Sequence, residues 1–225
     1  MSHSENIIRI KVVHEALEEM ANEVVFVGGA TVSLYTDRPA EEIRSTEDVD
    51  ILIEVANYRG YAKIEEKLRE KGFVNDMESR VICRYIVQGI IVDIMPTAKE
   101  ILGFANKWYK EGFSHSMEHN LDDCSIRIFK PEYFIATKLE AFNDRGENDG
   151  RSSTDFEDVI YVLNTRTVIW KEMTEASPEI RLWLENEFKN LLDNPYIDEW
   201  IGSHLEFAEQ RRVSLIMSLM REFVG

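Results

Sequence analysis

The chain has 225 residues, of which 44% are hydrophobic and 30% are charged, and its formal net charge is −16. This size and composition are typical of a globular protein with one or two domains. The acidic excess disfavours non-specific binding to nucleic acid, because such binding depends on Lys and Arg neutralising phosphates.

Neither a membrane span nor a secretion signal is expected from the sequence. No apolar stretch reaches the roughly 18 residues that a membrane helix needs, and the first residues lack the basic and apolar regions of a signal peptide. The two cysteines, Cys83 and Cys124, have no Cys-x-x-Cys spacing, which favours reduced thiols over a zinc site. We therefore expect a cytoplasmic protein that makes no contact with a membrane.

The N-terminal part of the chain alternates helical and strand patterns. An amphipathic helix is predicted over 5–22, followed by a short strand over Val24–Val27 that ends in Gly28-Gly29. A helix then opens at Ala30–Leu34 and is broken at Asp37-Arg38-Pro39. An almost entirely apolar strand is predicted over Val49–Val55.

The middle of the chain predicts a helix, a hairpin and a last strand. The helix covers Tyr61–Lys71, with Gly72 as its cap. Two apolar runs, Arg80–Val87 and Ile90–Met95, flank Gln88-Gly89 and indicate a β-hairpin. Residues 97–124 are interpreted as a short helix (Lys99–Trp108) and a polar loop, and Ser125–Phe129 as the last strand.

The C-terminal part reads as helical. Pro131 opens a helix that runs to about Asn143, and a polar connection over 146–153 precedes helical patterns interrupted by Pro178 and Pro195. We therefore predict an α/β (α+β) domain with a small mixed sheet over 1–130 and an all-helical domain over 131–225. Aromatic residues of the helical part are expected in its core or in a subunit contact rather than as a base-stacking platform; they are Trp170, Trp183, Phe188, Tyr196 and Trp200.

Three aspartates are the main candidates for catalysis and metal binding. Asp48 and Asp50 are two apart at the head of a strand, so both carboxylates face the same side. Asp93 lies in another apolar strand, and an acid at a buried strand needs a partner. Such a triad can hold one or two Mg²⁺ ions about 4 Å apart, and Asp93 can also serve as a general base.

The glycine pair and the residues before the acids are candidates for binding phosphate. Gly28-Gly29 allows backbone N–H groups to approach an anion closely. Arg44 and Thr46 either contact phosphate or fix the loop, and Arg44 is as well suited to a structural salt bridge. Basic residues of the middle third are interpreted as surface charge or as a local basic cleft; they are Arg80, Arg84, Arg127, Lys130, Lys138, Arg145 and Arg151.

Taken together, these motifs resemble the nucleotidyltransferase superfamily with a polymerase-β-like palm. The resemblance rests on Gly28-Gly29, Arg44-x-Thr46-x-Asp48-x-Asp50 and Val92-Asp93-Ile94. The later Lys138-Leu-Glu-Ala, Arg145-Gly146 and Asp155-Phe-Glu-Asp158 are similar to the AbiEii-type branch, which includes toxins of toxin–antitoxin systems. The match covers residues 24–163.

The resemblance implies a role for each matching residue. Gly28, Gly29 and a hydroxyl residue hold the triphosphate, and the paired acids bind Mg²⁺. Lys138 contacts phosphates, and Asp155 supports the site with Asp158 on the same helix face. From the residues alone, Lys138 can equally extend to solvent and the two acids can favour the helix dipole.

The chain departs from the family at Ala30, where a hydroxyl is usual, so Thr31 and Ser33 are the candidate substitutes. Thr154 replaces a lysine.

Two functions of different classes follow. The first is a Mg²⁺-dependent nucleotidyltransferase that moves a nucleoside monophosphate from a nucleoside triphosphate to an acceptor hydroxyl and releases pyrophosphate. The acceptor is an RNA such as tRNA, as for toxin-like relatives with a cognate antitoxin protein, or a small molecule. The second is a catalytically silent module of the same fold that binds a nucleotide or a protein, which Ala30 favours.

Overall fold

The structure is a computed structural model that describes residues 2–38, 44–55, 57–103, 105–146 and 149–225. The chain divides into two compact units. The first comprises Met1–Leu34 and Glu42–Lys130, and the second comprises Tyr35–Glu41 and Pro131–Gly225. Among the described residues, no helix combines the length and the apolarity that crossing a bilayer requires.

The first unit is built on a mixed sheet. Over the described residues its order is β3-β4-β5-β2-β1-β7-β6. The β2–β5 and β1–β7 pairs are parallel, and the other neighbours are antiparallel. The strands are β1 (Val24–Val27), β2 (Asp48–Ile53), β3 (Val74–Asn75), β4 (Arg84–Val87), β5 (Ile90–Pro96), β6 (Met117–Leu121) and β7 (Cys124–Ile128).

Helices cover the central strands of this sheet. The α-helices described in the first unit are α1 (Ser2–Leu17), α2 (Tyr58–Glu70), α3 (Lys99–Leu102) and α4 (Tyr109–Ser114). Helix α1 packs against β2 and β5, and its Ile10, Val13 and Leu17 are fully buried. Two 3₁₀ segments flank β1, at Glu18–Glu23 and Gly29–Tyr35. The buried strands β1 and β2 therefore form a rigid base for the loops at their ends.

The second unit is helical. Its α-helices are α5 (Pro131–Arg145), α6 (Thr154–Thr165), α7 (Ile169–Glu175), α8 (Pro178–Leu192), α9 (Ile197–Ser203) and α10 (Arg212–Val224), with a 3₁₀ turn at Phe207–Glu209. Phe142, Phe156 and Trp200 form one aromatic cluster, with ring centroids 5.1–5.9 Å apart. Trp170 and Phe188 form another, with centroids 5.6 Å apart.

The chain enters the second unit at Tyr35, the last residue of the 3₁₀ helix after β1, and Tyr35, Asp37 and Arg38 make contacts there. The ring of Tyr35 lies 4.4 Å from that of Phe134. The Asp37 carboxylate accepts hydrogen bonds from the backbone N–H of Thr167 at 2.9 and 3.0 Å. Arg38 forms a salt bridge of 2.8 Å with Glu209. These contacts explain why a short stretch of the N-terminal half belongs to the helical unit.

The predicted fold class is confirmed, because a mixed sheet with helices is followed by a helical C-terminal part. Several local predictions were wrong. The helix predicted over Lys99–Trp108 ends at Leu102, because Gly103 adopts a left-handed φ of 81°, and the next helix, α4, begins only at Tyr109. The polar loop before Ser125 contains strand β6, and β3 was missed. The helix predicted to open at Ala30–Leu34 is a 3₁₀ helix, Gly29–Tyr35, which ends before Asp37-Arg38; Pro39 of the predicted break lies outside the described residues. Of the aromatic residues, Tyr196 is exposed and packs beneath Arg151.

Candidate active site

Strand register brings the three predicted acids together. Asp50 pairs with Asp93 across the parallel β2–β5 ladder. Asp48 lies two residues before Asp50 on the same strand and therefore on the same face of the sheet. Arg84 pairs with Asp93 across the antiparallel β4–β5 ladder. One row across three strands thus carries two carboxylates and a guanidinium, with a third carboxylate beside it.

Arg84 is hydrogen-bonded to two of the acids. Its Nε donates to Asp93 Oδ1 at 2.8 Å, and its Nη2 donates to Asp93 Oδ2 at 2.8 Å. The same Nη2 also donates to Asp48 Oδ2 at 3.0 Å. The hydrogen bonds with Asp93 raise the pKa of the Arg84 guanidinium further above its ordinary value. The Arg84 guanidinium therefore stays positively charged between the two carboxylates.

Cys83, next to Arg84, is a buried free thiol. Burial, reinforced by the negative charge of Asp93, raises the pKa of the Cys83 thiol to about 12. Since the thiolate is the reactive form of cysteine, this thiol is inert at neutral pH despite lying beside the acids.

The Gly28-Gly29 turn lies directly against Asp50. Gly28 has a φ of 72°, and a Cβ atom there would overlap the Asp50 carboxylate. At Gly29, a Cβ atom would lie 2.8 Å from both Arg44 Nη2 and Thr46 Cγ2. Only glycine therefore allows the turn to approach Asp50 and the Arg44 guanidinium so closely.

The two hydroxyl residues after the glycines have different surroundings. The Thr31 hydroxyl donates to the Gly28 carbonyl oxygen at 2.9 Å, and its backbone N–H donates to the same oxygen at 3.2 Å. Thr31 therefore closes the turn in this structure. Ser33 is 4% exposed, and its Oγ has no hydrogen-bond partner among the described residues.

The segment leading into β2 is held by Asn6 of α1. The fully buried Asn6 accepts the backbone N–H of Thr46 at 3.1 Å and donates to the Arg44 carbonyl oxygen at 3.4 Å. The Thr46 hydroxyl donates to the Asp48 carbonyl oxygen at 3.1 Å. Of the roles predicted for Thr46, the structure therefore shows the fixing of the loop, and Arg44 lies over Gly29.

Lys138, Asp155 and Asp158 form a buried ionic cluster in the second unit. Lys138 Nζ lies 3.1 Å from Asp155 Oδ1 and 2.6 Å from Asp158 Oδ2. Arg145 Nε donates to Asp155 Oδ2 at 2.7 Å. Burial alone would raise the pKa of the Asp155 carboxyl, but the hydrogen bonds from Arg145 and the charge of Lys138 outweigh it and lower that pKa below its ordinary value. Asp155 and Asp158 do share one helix face, and both are used within this cluster.

The donor set near Gly28 suits Mg²⁺ in its chemistry. Asp48, Asp50 and Asp93 offer carboxylate oxygens, which are the ligands that Mg²⁺ prefers. Among the described residues, no group of three or more Asp, Glu, His or Cys side chains is already arranged around one metal position. Instead, the Arg84 guanidinium is the cation that bridges two of the acids. The side chains therefore suit the ion in their chemistry, while in this structure the charge of two of them is balanced by Arg84.

Sequence reasoning missed the roles of Arg84 and Asn6. Arg84 was interpreted as surface charge or part of a basic cleft, yet it binds the acids. A signal was available, because a two-residue hairpin turn at Gln88-Gly89 pairs residue 87 with 90 and so places Arg84 opposite Asp93. Asn6 lies 40 residues from Thr46, and no local pattern points to that contact.

Comparison with known proteins identifies the fold. No protein-family model matches the chain, and no curated protein matches it. A solved structure of an antigenic nucleotidyltransferase-like protein from Paracoccidioides brasiliensis matches with a TM-score of 0.55 at 18% identity. The match covers 92% of this chain and 97% of that one. The fold is nucleotidyltransferase-like. The AbiEii-type branch finds no support in these comparisons and stays a prediction.

Proposed function

We propose that this protein is a Mg²⁺-dependent nucleotidyltransferase, which moves a nucleoside monophosphate from a nucleoside triphosphate to an acceptor hydroxyl and releases pyrophosphate. The observation that carries the proposal is the register that puts Asp50 beside Asp93, with Asp48 on the same face. The turn against Asp50 consists of two glycines. An acidic face beside a close-approaching backbone turn suits a metal-bound triphosphate. The nucleotidyltransferase-like fold supports the same reading.

Each residue has a distinct task in this proposal. Asp48, Asp50 and Asp93 would hold Mg²⁺, which when bound neutralises phosphate charge and lowers the pKa of the acceptor hydroxyl. Asp93 accepts the proton of that hydroxyl. Gly28-Gly29 lets the backbone reach the phosphates, and the Arg44 guanidinium over Gly29 adds positive charge there. Positioning and charge neutralisation supply most of the rate enhancement.

The finer assignment is to the AbiEii-type branch, and it rests on the order of the Lys138, Arg145 and Asp155 motifs. In that reading the acceptor is an RNA such as tRNA, and an antitoxin protein is the cognate partner; a small-molecule acceptor is the alternative. Lys138, Asp155 and Asp158 would then support the nucleotide site. Their mutual ion pairs favour support through positioning over direct phosphate contact.

The first experiment is a transfer assay with chemically matched variants. The protein is incubated with Mg²⁺ and each α-labelled nucleoside triphosphate, with tRNA, total RNA or a small-molecule extract as the acceptor. We expect transfer to fall at least about 10³-fold in Asp48→Asn with Asp50→Asn, because two metal ligands are lost. Asp193→Asn, which changes an exposed acid at the end of α8, should behave as wild type. Transfer that persists in the double variant would reject the assigned site.

The silent binding module remains the second candidate, and a specific observation favours it. Arg84 already neutralises two of the three acids, and the Thr31 hydroxyl is used by its own turn. Calorimetry separates the two cases. Tight binding of a nucleotide or protein, without Mg²⁺-dependent turnover of any triphosphate, would favour the binding module.

A further inference from the structure

Arg84 uses carboxylate oxygens that a metal would need. Three hydrogen bonds of 2.8–3.0 Å join its Nε and Nη2 to Asp93 and Asp48. Both oxygens of Asp93 are engaged by the guanidinium. These lone pairs would also coordinate a divalent cation. A divalent ion and a guanidinium at the same oxygens repel each other, so the two cations compete.

The guanidinium is placed so that it can leave. The Arg84 side chain is 22% exposed and the Asp48 side chain is 35% exposed, so this pair borders solvent, whereas the Asp93 side chain is 11% exposed. The position of the Arg84 backbone is fixed by its pairing opposite Asp93 in the hairpin. Release therefore requires rotation of one flexible side chain and leaves the strand ladder intact.

We infer that Arg84 is an internal counter-cation of the acidic site, which pairs with Asp48 and Asp93 in the absence of metal and must be displaced when a divalent cation binds there. This inference rests on the metal site of the proposed function and adds to it a residue that sets metal affinity. It also accounts for the close approach of Asp48 and Asp93, since Arg84 pairs with both carboxylates. Arg84 is a positioning residue in this role.

The test measures metal affinity rather than activity. Mn²⁺ is titrated into chelator-treated full-length protein, and free Mn²⁺ is followed by electron paramagnetic resonance. We expect Arg84→Gln to bind Mn²⁺ about tenfold tighter than wild type, the factor that corresponds to about 1.4 kcal/mol, because the competing charge is gone. Gln retains an amide that can donate to Asp93. Arg80→Gln removes an equal charge at an exposed site of the same segment and should leave the affinity unchanged.

The outcomes separate this inference from the proposed function. Equal Mn²⁺ affinity in Arg84→Gln and wild type, together with nucleotidyl transfer by wild type, overturns the inference alone. Tighter Mn²⁺ binding by Arg84→Gln, without transfer by wild type on any acceptor, removes the proposed function alone. No binding by either protein at millimolar Mn²⁺ overturns both.

A second measurement uses the unaltered protein, in case Arg84→Gln does not fold. Phenylglyoxal modifies accessible guanidinium groups, and peptide mass spectrometry reports the extent at Arg84 and Arg80 separately. Saturating Mn²⁺ should increase modification of Arg84 several-fold relative to Arg80. An unchanged ratio would show that metal binds without displacing the guanidinium and would overturn the inference.

Discussion

At the scale of single residues, the two hydroxyl groups after the glycine pair differ in what they contribute to the fold. Thr31 satisfies its hydroxyl on the Gly28 carbonyl oxygen. The Ser33 hydroxyl is buried without a partner among the described residues. Leaving a buried polar group unsatisfied costs about 1–3 kcal/mol. The Ser33 hydroxyl therefore adds no hydrogen bond to the fold of the described residues.

Ser33→Ala should raise the free energy of unfolding by about 1 kcal/mol, because an unsatisfied buried hydroxyl is removed. If Ser33 contacts the triphosphate, the same variant raises KM several-fold with little change in kcat. Urea denaturation and steady-state kinetics give the two values. Thr31→Val is the matched comparison, and it should lose about 1 kcal/mol because a satisfied hydrogen bond is lost. Equal losses of stability in both variants would contradict this account of Ser33.

At the scale of elements, the β4–β5 hairpin could be predicted in type and register. Gln88 and Gly89 both have positive φ, of 49° and 82°, as the favoured two-residue hairpin turn requires. That turn sets Arg84 against Asp93. A glutamine at the first turn position is costly, since residues other than Gly, Asn and Asp resist this conformation.

Gln88→Asn should therefore stabilise the protein by about 0.5 kcal/mol, because Asn tolerates the left-handed conformation better than Gln. Gly89→Ala should destabilise it by about 1 kcal/mol through backbone strain alone, since a Cβ atom there meets nothing within 4 Å. Urea titrations of the two variants test this pair of expectations. A loss of stability in Gln88→Asn, or no loss in Gly89→Ala, would mean that the turn does not limit the stability of the hairpin.

Other elements could not be predicted, and the reasons are physical. Strand β6 has the sequence Met117-Glu-His-Asn-Leu121, and only Leu121 is buried. The strand is therefore formed by its hydrogen bonds to β7, and its sequence has no hydrophobic pattern that would predict it. Strand β3 is two residues long. Asn6 acquires its role from a contact 40 residues away, and the hydrogen bond from Arg84 to Asp48 spans 36 residues, although the hairpin already places Arg84 opposite Asp93. The acids were found because a carboxylate bordering a buried strand is unusual in any sequence.

At the scale of the whole molecule, net charge and ionic clusters determine the response to pH. The helical unit buries Asp155 and Asp158 against Lys138. The pKa of Asp155 is lower in the folded chain than its ordinary value of 3.8. Asp155 therefore stabilises the fold above pH 3.8, and that contribution is lost as the pH falls through its folded pKa.

Asp155→Asn should lower the free energy of unfolding at pH 7 by about 3 kcal/mol, because it breaks a buried ion pair. The variant should also lose part of the decline in stability that wild type shows below pH 3.8, since the titrating group is absent. Urea denaturation at pH 7, 5, 4 and 3 measures both. Asp193→Asn serves as the control for one lost exposed charge. If the free energy of unfolding of Asp155→Asn declines below pH 3.8 as steeply as that of wild type, Asp155 is not the source of that decline.

The pairing of Arg84 with Asp93 also bears on how the chain folds. The two residues are 9 apart in sequence, whereas Asp48 and Arg84 are 36 apart. Closing a short loop costs less entropy than closing a long one, and hairpins form within microseconds. We therefore expect the guanidinium to meet Asp93 before β2 arrives with its two aspartates. The carboxylates then assemble around a positive charge that is already in place. The charge of Arg84 thereby reduces the repulsion among the three aspartates in the transition state of folding.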